Sequence, residues 1–326
     1  MTALANPASW LTGYIADLPT PFDGDGEPDL NAFVALCTRQ IDAGAAAIIV
    51  GETAGEASTL STAEKLRLVR CAVETAQGRA RIIAGAGSNS TDRAIELTRQ
   101  AERAGADAVL SVVPYYNKPM QEGMVAHFRA IAASTALPVI LHDIPARTVR
   151  ELSDATLMAL AESAQFVGLR DGAGNVARPL RLQQRLRPHF RLLTGDDATA
   201  PAYMMAGGHG CMSAIANVIP GLCQAIHASL SEGRLQSARL LSSRLSPIAE
   251  LLAADHPVAL KYALALLGLV RPDTRLPLVP LDDTARRLVE AAVARLCDEN
   301  LVNSRRAWPA TPAPDRACSG LPDDRP

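Results

Sequence analysis

The feature that most constrains the fold of this chain is an alternation that repeats along most of its length. Short β-branched or apolar runs are each followed by an amphipathic stretch of roughly 10 to 16 residues, the pattern of βα units around a parallel sheet. Eight such units close a barrel, so we predict a (β/α)8 (TIM) barrel. The strands are predicted at Tyr14–Pro21, Ala47–Gly51, Arg81–Gly85, Ala108–Pro114, Pro138–Ile144, Phe166–Leu169, Phe190–Gly195 and Gly210–Ala216.

Local signals for helix ends agree with this pattern. Ser61 is followed three residues later by Glu64, which predicts a capping box. Gly44 and Gly105 each follow an amphipathic run and precede a buried strand, as expected where a helix stops. A doubly wound open sheet is the alternative, but it needs a glycine-rich phosphate loop after its first strand, and this chain has "DLPTPF" there.

The C-terminal part of the sequence carries a different pattern. Only helices are predicted after the eighth strand, so we divide the chain into a barrel at 12–233 and a C-terminal helical region at 234–301. Residues 302–326 are rich in proline and charge and predict a disordered tail, because they cannot bury enough apolar surface to fold. The C-terminal helices are predicted at Leu235–Ala253, Pro257–Leu267 and Asp282–Asp298.

Charge and composition exclude several classes of function. The net charge of −2 gives no electrostatic reason for a nucleic-acid or anionic-membrane partner. The N-terminus lacks the basic and apolar regions of a signal peptide, and no apolar run is long enough to span a bilayer, so we expect a cytoplasmic protein. Six cysteines occur without a C-x-x-C pair or histidines at zinc-ligand spacing, so neither a metal nor a cofactor is predicted.

In such barrels the chemistry lies at the carboxyl ends of the strands. The predicted strands run there into "GETAGEASTL", "PYYNKP", "LHDIPARTV", "GLRDGAGNV" and "GGHGCMSAIANV". Together with "IIAGAGSNSTDRAIELT", "AGADAVLSVVPYYNKPMQEG" and "LLTGDDATA", these segments resemble the dihydrodipicolinate synthase/N-acetylneuraminate lyase family over about residues 12–300. The resemblance implies binding of pyruvate or a related 2-oxo acid, through a Schiff base between a barrel lysine and the keto carbon.

The position of that lysine in the family motif falls at Arg170. A guanidinium stays protonated and has no free amine lone pair, so it cannot form the imine. The three lysines of the chain, Lys65, Lys118 and Lys261, lie outside the sixth strand. Two roles for Arg170 stay open: it polarises the keto oxygen of the substrate, or it fills the pocket of an inactive protein, paired with Asp171 or another acid. An amine relocated to Lys118 is a further alternative.

The resemblance implies roles for other residues as well. Arg147 matches the arginine that takes the substrate carboxylate, and Thr53 matches the hydroxyl of the proton relay. Ala54 and Glu52 replace the usual threonine and glycine, although the backbone N–H groups near Ala54 are still able to cradle a carboxylate. Tyr116 matches a tyrosine that the family inserts into a neighbouring subunit's site, which implies a homo-oligomer, either a dimer or a tetramer.

His142 stands where the family usually has a proton-shuttling tyrosine. An imidazole can serve there as general acid or base, whereas a structural histidine bonded to Asp143 or to a backbone carbonyl is the alternative. Gly195 and Met212 match positions whose backbone lines the pocket. Two functions follow: a dihydrodipicolinate synthase-like lyase or aldolase that lacks the usual Schiff base, or a catalytically inactive or regulatory 2-oxo-acid-binding paralogue.

Overall fold

The computed structural model describes residues 8–254, 256–299, 301 and 302. Eight parallel strands pair in sequence order, and the eighth pairs with the first, so the sheet closes into the predicted barrel. The observed strands differ from the predicted ones only at their ends. They are β1 Gly13–Asp17, β2 Ala47–Val50, β3 Arg81–Gly85, β4 Ala108–Val112, β5 Val139–Asp143, β6 Phe166–Asp171, β7 Arg191–Thr194 and β8 Gly210–Ser213.

Helices surround the barrel. The predicted capping box is present: the Ser61 hydroxyl accepts a hydrogen bond from the Glu64 N–H, and the Glu64 carboxylate accepts one from the Ser61 N–H. The three predicted C-terminal helices are confirmed to within one residue at each end. The helices are α1 Leu30–Asp42, α2 Thr62–Ala76, α3 Thr91–Arg103, α4 Gln121–Ala132, α5 Pro145–Thr148, α6 Asp154–Ala161, α7 Arg178–Leu182, α8 Ala200–Met205, α9 Pro220–Ser231, α10 Leu235–Ala254, α11 Val258–Leu266 and α12 Asp283–Asp298.

The apolar core has two parts, one inside the barrel and one between the strands and the helices. Alternation along each strand sends every second side chain to the barrel axis, where large aliphatic groups fill the lower layers. The outer core is larger and continues into the C-terminal helical region. The inner core consists of Ala8, Leu11, Ile15, Ala47, Ile49, Ile83, Ala108, Leu110, Ile140, Val167, Leu193 and Met212.

Beyond the barrel, α10 to α12 form the C-terminal helical region, which packs against α9 and α8. Across the part of the chain that the structure describes, no helix has both the length and the apolar character needed to cross a membrane. The tail predicted at 302–326 lies outside the described residues except for Val302.

A β-bulge in β6 decides which of its side chains face the barrel axis. Val139 pairs with Phe166, but Ile140 pairs with Gly168, so β6 carries one extra residue. After the bulge, Arg170 pairs with His142, and both side chains point inward, above Ile140. Without the extra residue Arg170 would pair with Asp143 and face the helices.

Gly168 is required at the bulge for steric reasons. A Cβ atom built on Gly168 would lie 2.8 Å from the backbone oxygen of Arg191 on β7. A side chain at this position would therefore push two paired strands apart.

Candidate functional site

Four ionisable side chains meet inside the barrel at the carboxyl ends of the strands. Arg170 Nη1 lies 2.9 Å from Asp17 Oδ2 and 3.3 Å from Glu52 Oε2. His142 Nδ1 lies 3.0 Å from Glu52 Oε1. We call these four residues the mouth cluster. It lies at the end of the barrel where the sequence places the chemistry, and it joins β1, the β2–α2 loop, β5 and β6.

Glu52 is the centre of the mouth cluster. Its Oε2 accepts hydrogen bonds from the backbone N–H and the hydroxyl of Thr53, as well as from Arg170. Burial alone would raise the pKa of Glu52, but the interactions with His142 and Arg170 and the Thr53 hydroxyl lower it below its usual range. Glu52 is therefore a fixed anion whose two oxygens are both committed.

Asp17 is the second carboxylate on Arg170, and its surroundings differ from those of Glu52. It is fully buried, and its Oδ2 accepts the bond from Arg170 and a long one, 3.4 Å, from the Ala54 N–H. Burial raises the pKa of Asp17 to about 6, against the opposing effect of Arg170 and with a further raising effect of Glu52. Asp17 therefore changes protonation state near neutral pH.

His142 is held by Glu52 through one ring nitrogen. Burial lowers the pKa of His142, although Glu52 opposes this, so the imidazole is neutral at pH 7. A neutral ring that donates from Nδ1 to Glu52 carries a lone pair on Nε2. A carboxylate that fixes an imidazole in this way prepares the other nitrogen to accept a proton.

Several polar atoms of this region have no partner among the described residues although they are buried. They are Asp17 Oδ1, Arg170 Nε, His142 Nε2 and His256 Nε2. Buried polar groups are nearly always hydrogen-bonded, because leaving one unpaired costs about 1–3 kcal/mol. This region therefore contains buried hydrogen-bond donors and acceptors that have no partner among the described residues, as expected where a small polar molecule binds.

The C-terminal helical region reaches this end of the barrel through His256. Its backbone oxygen accepts a hydrogen bond of 3.2 Å from Nη2 of Arg147, an exposed residue of the short helix α5 that follows β5. Burial, together with the guanidinium groups of Arg147 and Arg170, lowers the pKa of His256 to about 3. His256 is therefore neutral, whereas Arg147 beside it is an exposed cation.

The structure brings some of the sequence-predicted residues together and leaves others apart. Thr53, His142 and Arg170 meet on Glu52. A Cβ atom on Gly195 would lie 3.2 Å from Arg170 Nε, so this glycine leaves room for the guanidinium. Met212 lies lower, in the inner core. By contrast, the Tyr116 ring is 90% exposed in the single chain and takes no part in the mouth cluster.

The backbone donors expected to cradle a ligand carboxylate are occupied by the protein's own acids. The Thr53 N–H donates to Glu52, and the Ala54 N–H donates to Asp17.

None of the three lysines lies on a strand. Lys118 is exposed in the loop after β4, and Lys65 is half-buried on α2. Lys261 on α11 is fully buried, and its Nζ lies 2.5 Å from Glu56 Oε1.

Arg170 and His142 each have defined hydrogen-bond partners in the structure. Arg170 pairs with Asp17 and Glu52 rather than with Asp171, which points outward to Arg178 and Tyr203. His142 pairs with Glu52, not with Asp143 or a backbone carbonyl.

Sequence reasoning missed Asp17 and His256 and saw Glu52 only as a replacement for glycine. One sequence signal was available for Asp17: it follows Ile15 by two residues in an apolar strand, and therefore faces the same interior.

Comparison with known proteins gives a consistent result. The profile of the dihydrodipicolinate synthetase family matches residues 10–296. The 4-hydroxy-tetrahydrodipicolinate synthase of Gluconobacter oxydans is 43% identical over 289 residues, 88% of this chain and 97% of the relative. The solved structure of the Methylacidiphilum fumariolicum synthase matches with a TM-score of 0.86 at 37% identity, covering 89% of this chain and 99% of that one. The chloride-inhibited dihydrodipicolinate synthase of Acinetobacter baumannii, solved with pyruvate, gives 0.85 at 37% identity with the same coverage.

Proposed function

The chain belongs to the dihydrodipicolinate synthetase family, and from that premise we propose that it is a lyase or aldolase acting on pyruvate or a related 2-oxo acid without a lysine Schiff base. The observation that carries the proposal is the position of Arg170. It lies on β6 inside the barrel mouth, where the resemblance expects the imine-forming lysine. A guanidinium at that point can stabilise enolate charge by hydrogen bonding but cannot bond covalently to the keto carbon.

Arg147 is the proposed partner of the substrate carboxylate. Its guanidinium is at the exposed mouth, and the bond from Nη2 to His256 fixes its direction. Guanidinium groups bind carboxylates through paired hydrogen bonds, so Arg147 orients the acid with its keto group toward Arg170. The Nε of Arg170 supplies a donor for the keto oxygen, because both carboxylates of the mouth cluster are bonded to Nη1.

His142 and Glu52 are the proposed acid–base pair for the hydroxyl group. In the cleavage direction, His142 Nε2 takes the proton from the hydroxyl on carbon 4 of a 4-hydroxy-2-oxo acid. The bond between carbons 3 and 4 then breaks, an aldehyde leaves, and the electron pair forms an enolate held by Arg170. Glu52 stabilises the imidazolium that results, and Thr53 holds Glu52 in place.

A non-catalytic binder of 2-oxo acids is the second candidate, and one observation favours it. Two carboxylates already neutralise the charge of Arg170, so its guanidinium polarises a keto oxygen less strongly. This candidate predicts pyruvate binding with no cleavage and no condensation for any aldehyde.

Incubation with pyruvate and borohydride, followed by intact-mass measurement, tests the absence of the imine. We expect no mass gain for the natural protein, since none of its lysines lies on a strand. Arg170→Lys is the matched variant, and an adduct on it alone would show that the pocket accepts pyruvate. An adduct on the natural protein that maps to Lys118 or Lys65 would overturn the non-covalent proposal.

Assays of aldol cleavage and condensation with several aldehydes then separate the two candidates. We expect turnover by the natural protein and its loss in Arg170→Ala. If the natural protein binds pyruvate but turns over nothing, the binder is the correct function.

We also propose that the chain assembles into a homo-oligomer. Tyr116 is 90% exposed and sits at a positive φ of 70°, a conformation that is costly for a bulky side chain and presents the ring to solvent. Met120, four residues further on, is also largely exposed, and so is Val149, whose neighbour Arg150 donates a hydrogen bond to the Lys118 backbone oxygen. An exposed apolar group of this kind is typical of a surface that packs against a second copy.

A further inference from the structure

We propose that Asp17 is the catalytic group that exchanges a proton with carbon 3 of the bound 2-oxo acid, next to the keto group. This inference rests on the proposed function and adds a residue and a step to it. Cleavage leaves an enolate of pyruvate, and that enolate needs a proton on carbon before the product can leave. In the condensation direction, the same proton must first be removed.

The two carboxylates bonded to Arg170 Nη1 are not equivalent. Both oxygens of Glu52 are committed, Oε1 to His142 and Oε2 to Arg170 and Thr53. Asp17 uses only Oδ2, and its Oδ1 is buried without a partner among the described residues. Of the two acids, Asp17 alone has an oxygen left for a substrate atom.

The position of Asp17 also suits the task. Asp17 is the last residue of β1 and shares the inward face with Ile15, so its carboxylate lies above the inner core at the barrel mouth. Arg170 reaches from β6 to meet it at 2.9 Å. One small molecule bound beside the Arg170 guanidinium can therefore place its keto oxygen on Nε and a proton of its carbon 3 near Asp17 Oδ1.

The surrounding charges and burial affect the protonation of Asp17 and Glu52 differently. Arg170 from β6 and Glu52 from the β2–α2 loop face it, and His142 from β5 lies behind Glu52. Burial raises the pKa of Asp17 to about 6, whereas the pKa of Glu52 is lowered. When two neighbouring carboxylates are shifted apart in this way, the one near neutrality transfers protons and the other remains an anion.

Removal of the proton from carbon 3 produces an enolate. In the forward direction of exchange, the electron pair of the C–H bond on carbon 3 forms the carbon–carbon double bond, and the keto π pair moves to oxygen. Arg170 stabilises the resulting enolate oxygen, and the proton moves to Asp17 Oδ1. Reversal returns a proton or, in heavy water, a deuteron to carbon 3.

Proton NMR of pyruvate in heavy water measures this step without a second substrate. We expect the natural protein to exchange the methyl protons well above the buffer rate, and Asp17→Asn to lower the rate about 100-fold or more. Asp143→Asn is the matched control, since Asp143 is also fully buried, paired with an arginine and shifted to a pKa of about 6, but on the outer side of the barrel. We expect this control, once its melting curve shows a folded protein, to exchange at nearly the natural rate.

The outcomes separate this inference from the function on which it rests. If the natural protein and Asp17→Asn exchange equally fast, Asp17 is not the base and the inference is wrong, while the proposed function stands. If the natural protein binds pyruvate but neither exchanges its protons nor cleaves any substrate, the proposed function fails and this inference fails with it.

A pH profile of the natural protein keeps the test decisive even if Asp17→Asn does not fold. The base must be deprotonated, so the exchange rate should rise about tenfold per pH unit below pH 6 and level off above pH 7. A rate that stays flat from pH 5 to pH 8 would contradict the role of Asp17.

Discussion

Two buried arginine clusters lie back to back on the same pair of strands. In the mouth cluster, His142 and Arg170 point into the barrel. The next residue on each strand, Asp143 and Asp171, points outward to Arg178. We call Arg178 with these two acids the outer cluster. Its Nη1 lies 2.8 Å from Asp143 Oδ2 and 3.2 Å from Asp171 Oδ1.

Each cluster pairs one arginine with two acids, but the two clusters differ in how many of their polar atoms have partners. In the outer cluster, Arg178 also bonds to Asp154 and to the Leu152 oxygen, and Asp171 accepts a bond from Tyr203. Among the described residues, the unpartnered buried atoms include three from the mouth cluster and none from the outer one. Breaking a saturated buried network leaves unpaired charges and is costly, whereas an incomplete network has donors and acceptors left for a ligand.

The largest expected effect comes from opening the outer cluster. Arg178→Met removes the cation between Asp143 and Asp171 and leaves buried acids unpaired, which typically costs 3–5 kcal/mol, an estimate of order of magnitude. Urea unfolding at pH 7 should show the free energy of unfolding lowered by about that amount. A loss below about 1 kcal/mol would mean that the outer cluster does not stabilise the fold.

Asp17→Asn should have a smaller effect on stability, and the size of this effect should change with pH. The pKa of Asp17 is raised in the folded state, so its contribution is present at low pH and is lost as pH rises through 6. Asparagine does not titrate, so between pH 4 and pH 8 the stability of the variant should improve by about 2 kcal/mol relative to the natural protein. Urea titrations of both proteins across this range measure the difference. Parallel curves would show that Asp17 is not perturbed.

Residues of the two clusters also show how far the sequence predicts this molecule. Strands, helices and the capping box follow from periodicity and local chemistry, which act within a few residues. The inward direction of Arg170 depends on a bulge in β6, and the alternation of apolar residues does not reveal a bulge. The contact of Arg170 with Asp17 joins residues 153 positions apart, and a single sequence does not encode such pairs in any local pattern.

Gly168→Ala tests whether the bulge positions the mouth cluster. The added methyl group would lie 2.8 Å from the Arg191 backbone oxygen, so we expect a loss of about 1–2 kcal/mol and weaker binding of pyruvate. Gly123→Ala, in the first turn of α4, is the control, because its Cβ would meet only ordinary contacts. Thermal unfolding and calorimetry measure both quantities. Equal stability of the two variants would contradict the account of the bulge.

The smallest effect on the single chain is expected at Tyr116, outside both clusters. Tyr116→Ala should change the free energy of unfolding by less than about 0.5 kcal/mol, because an exposed ring makes few intramolecular contacts. The same change should shift the assembly toward smaller species in analytical ultracentrifugation. An unchanged sedimentation profile would show that Tyr116 does not hold subunits together.

A crystal structure with pyruvate tests the central claim most directly. We expect the keto oxygen to lie within hydrogen-bond distance of the Arg170 guanidinium and the carboxylate within reach of Arg147, with no density joining ligand and protein. Continuous density from the keto carbon to a lysine nitrogen, or pyruvate bound away from Asp17 and Arg170, would contradict it.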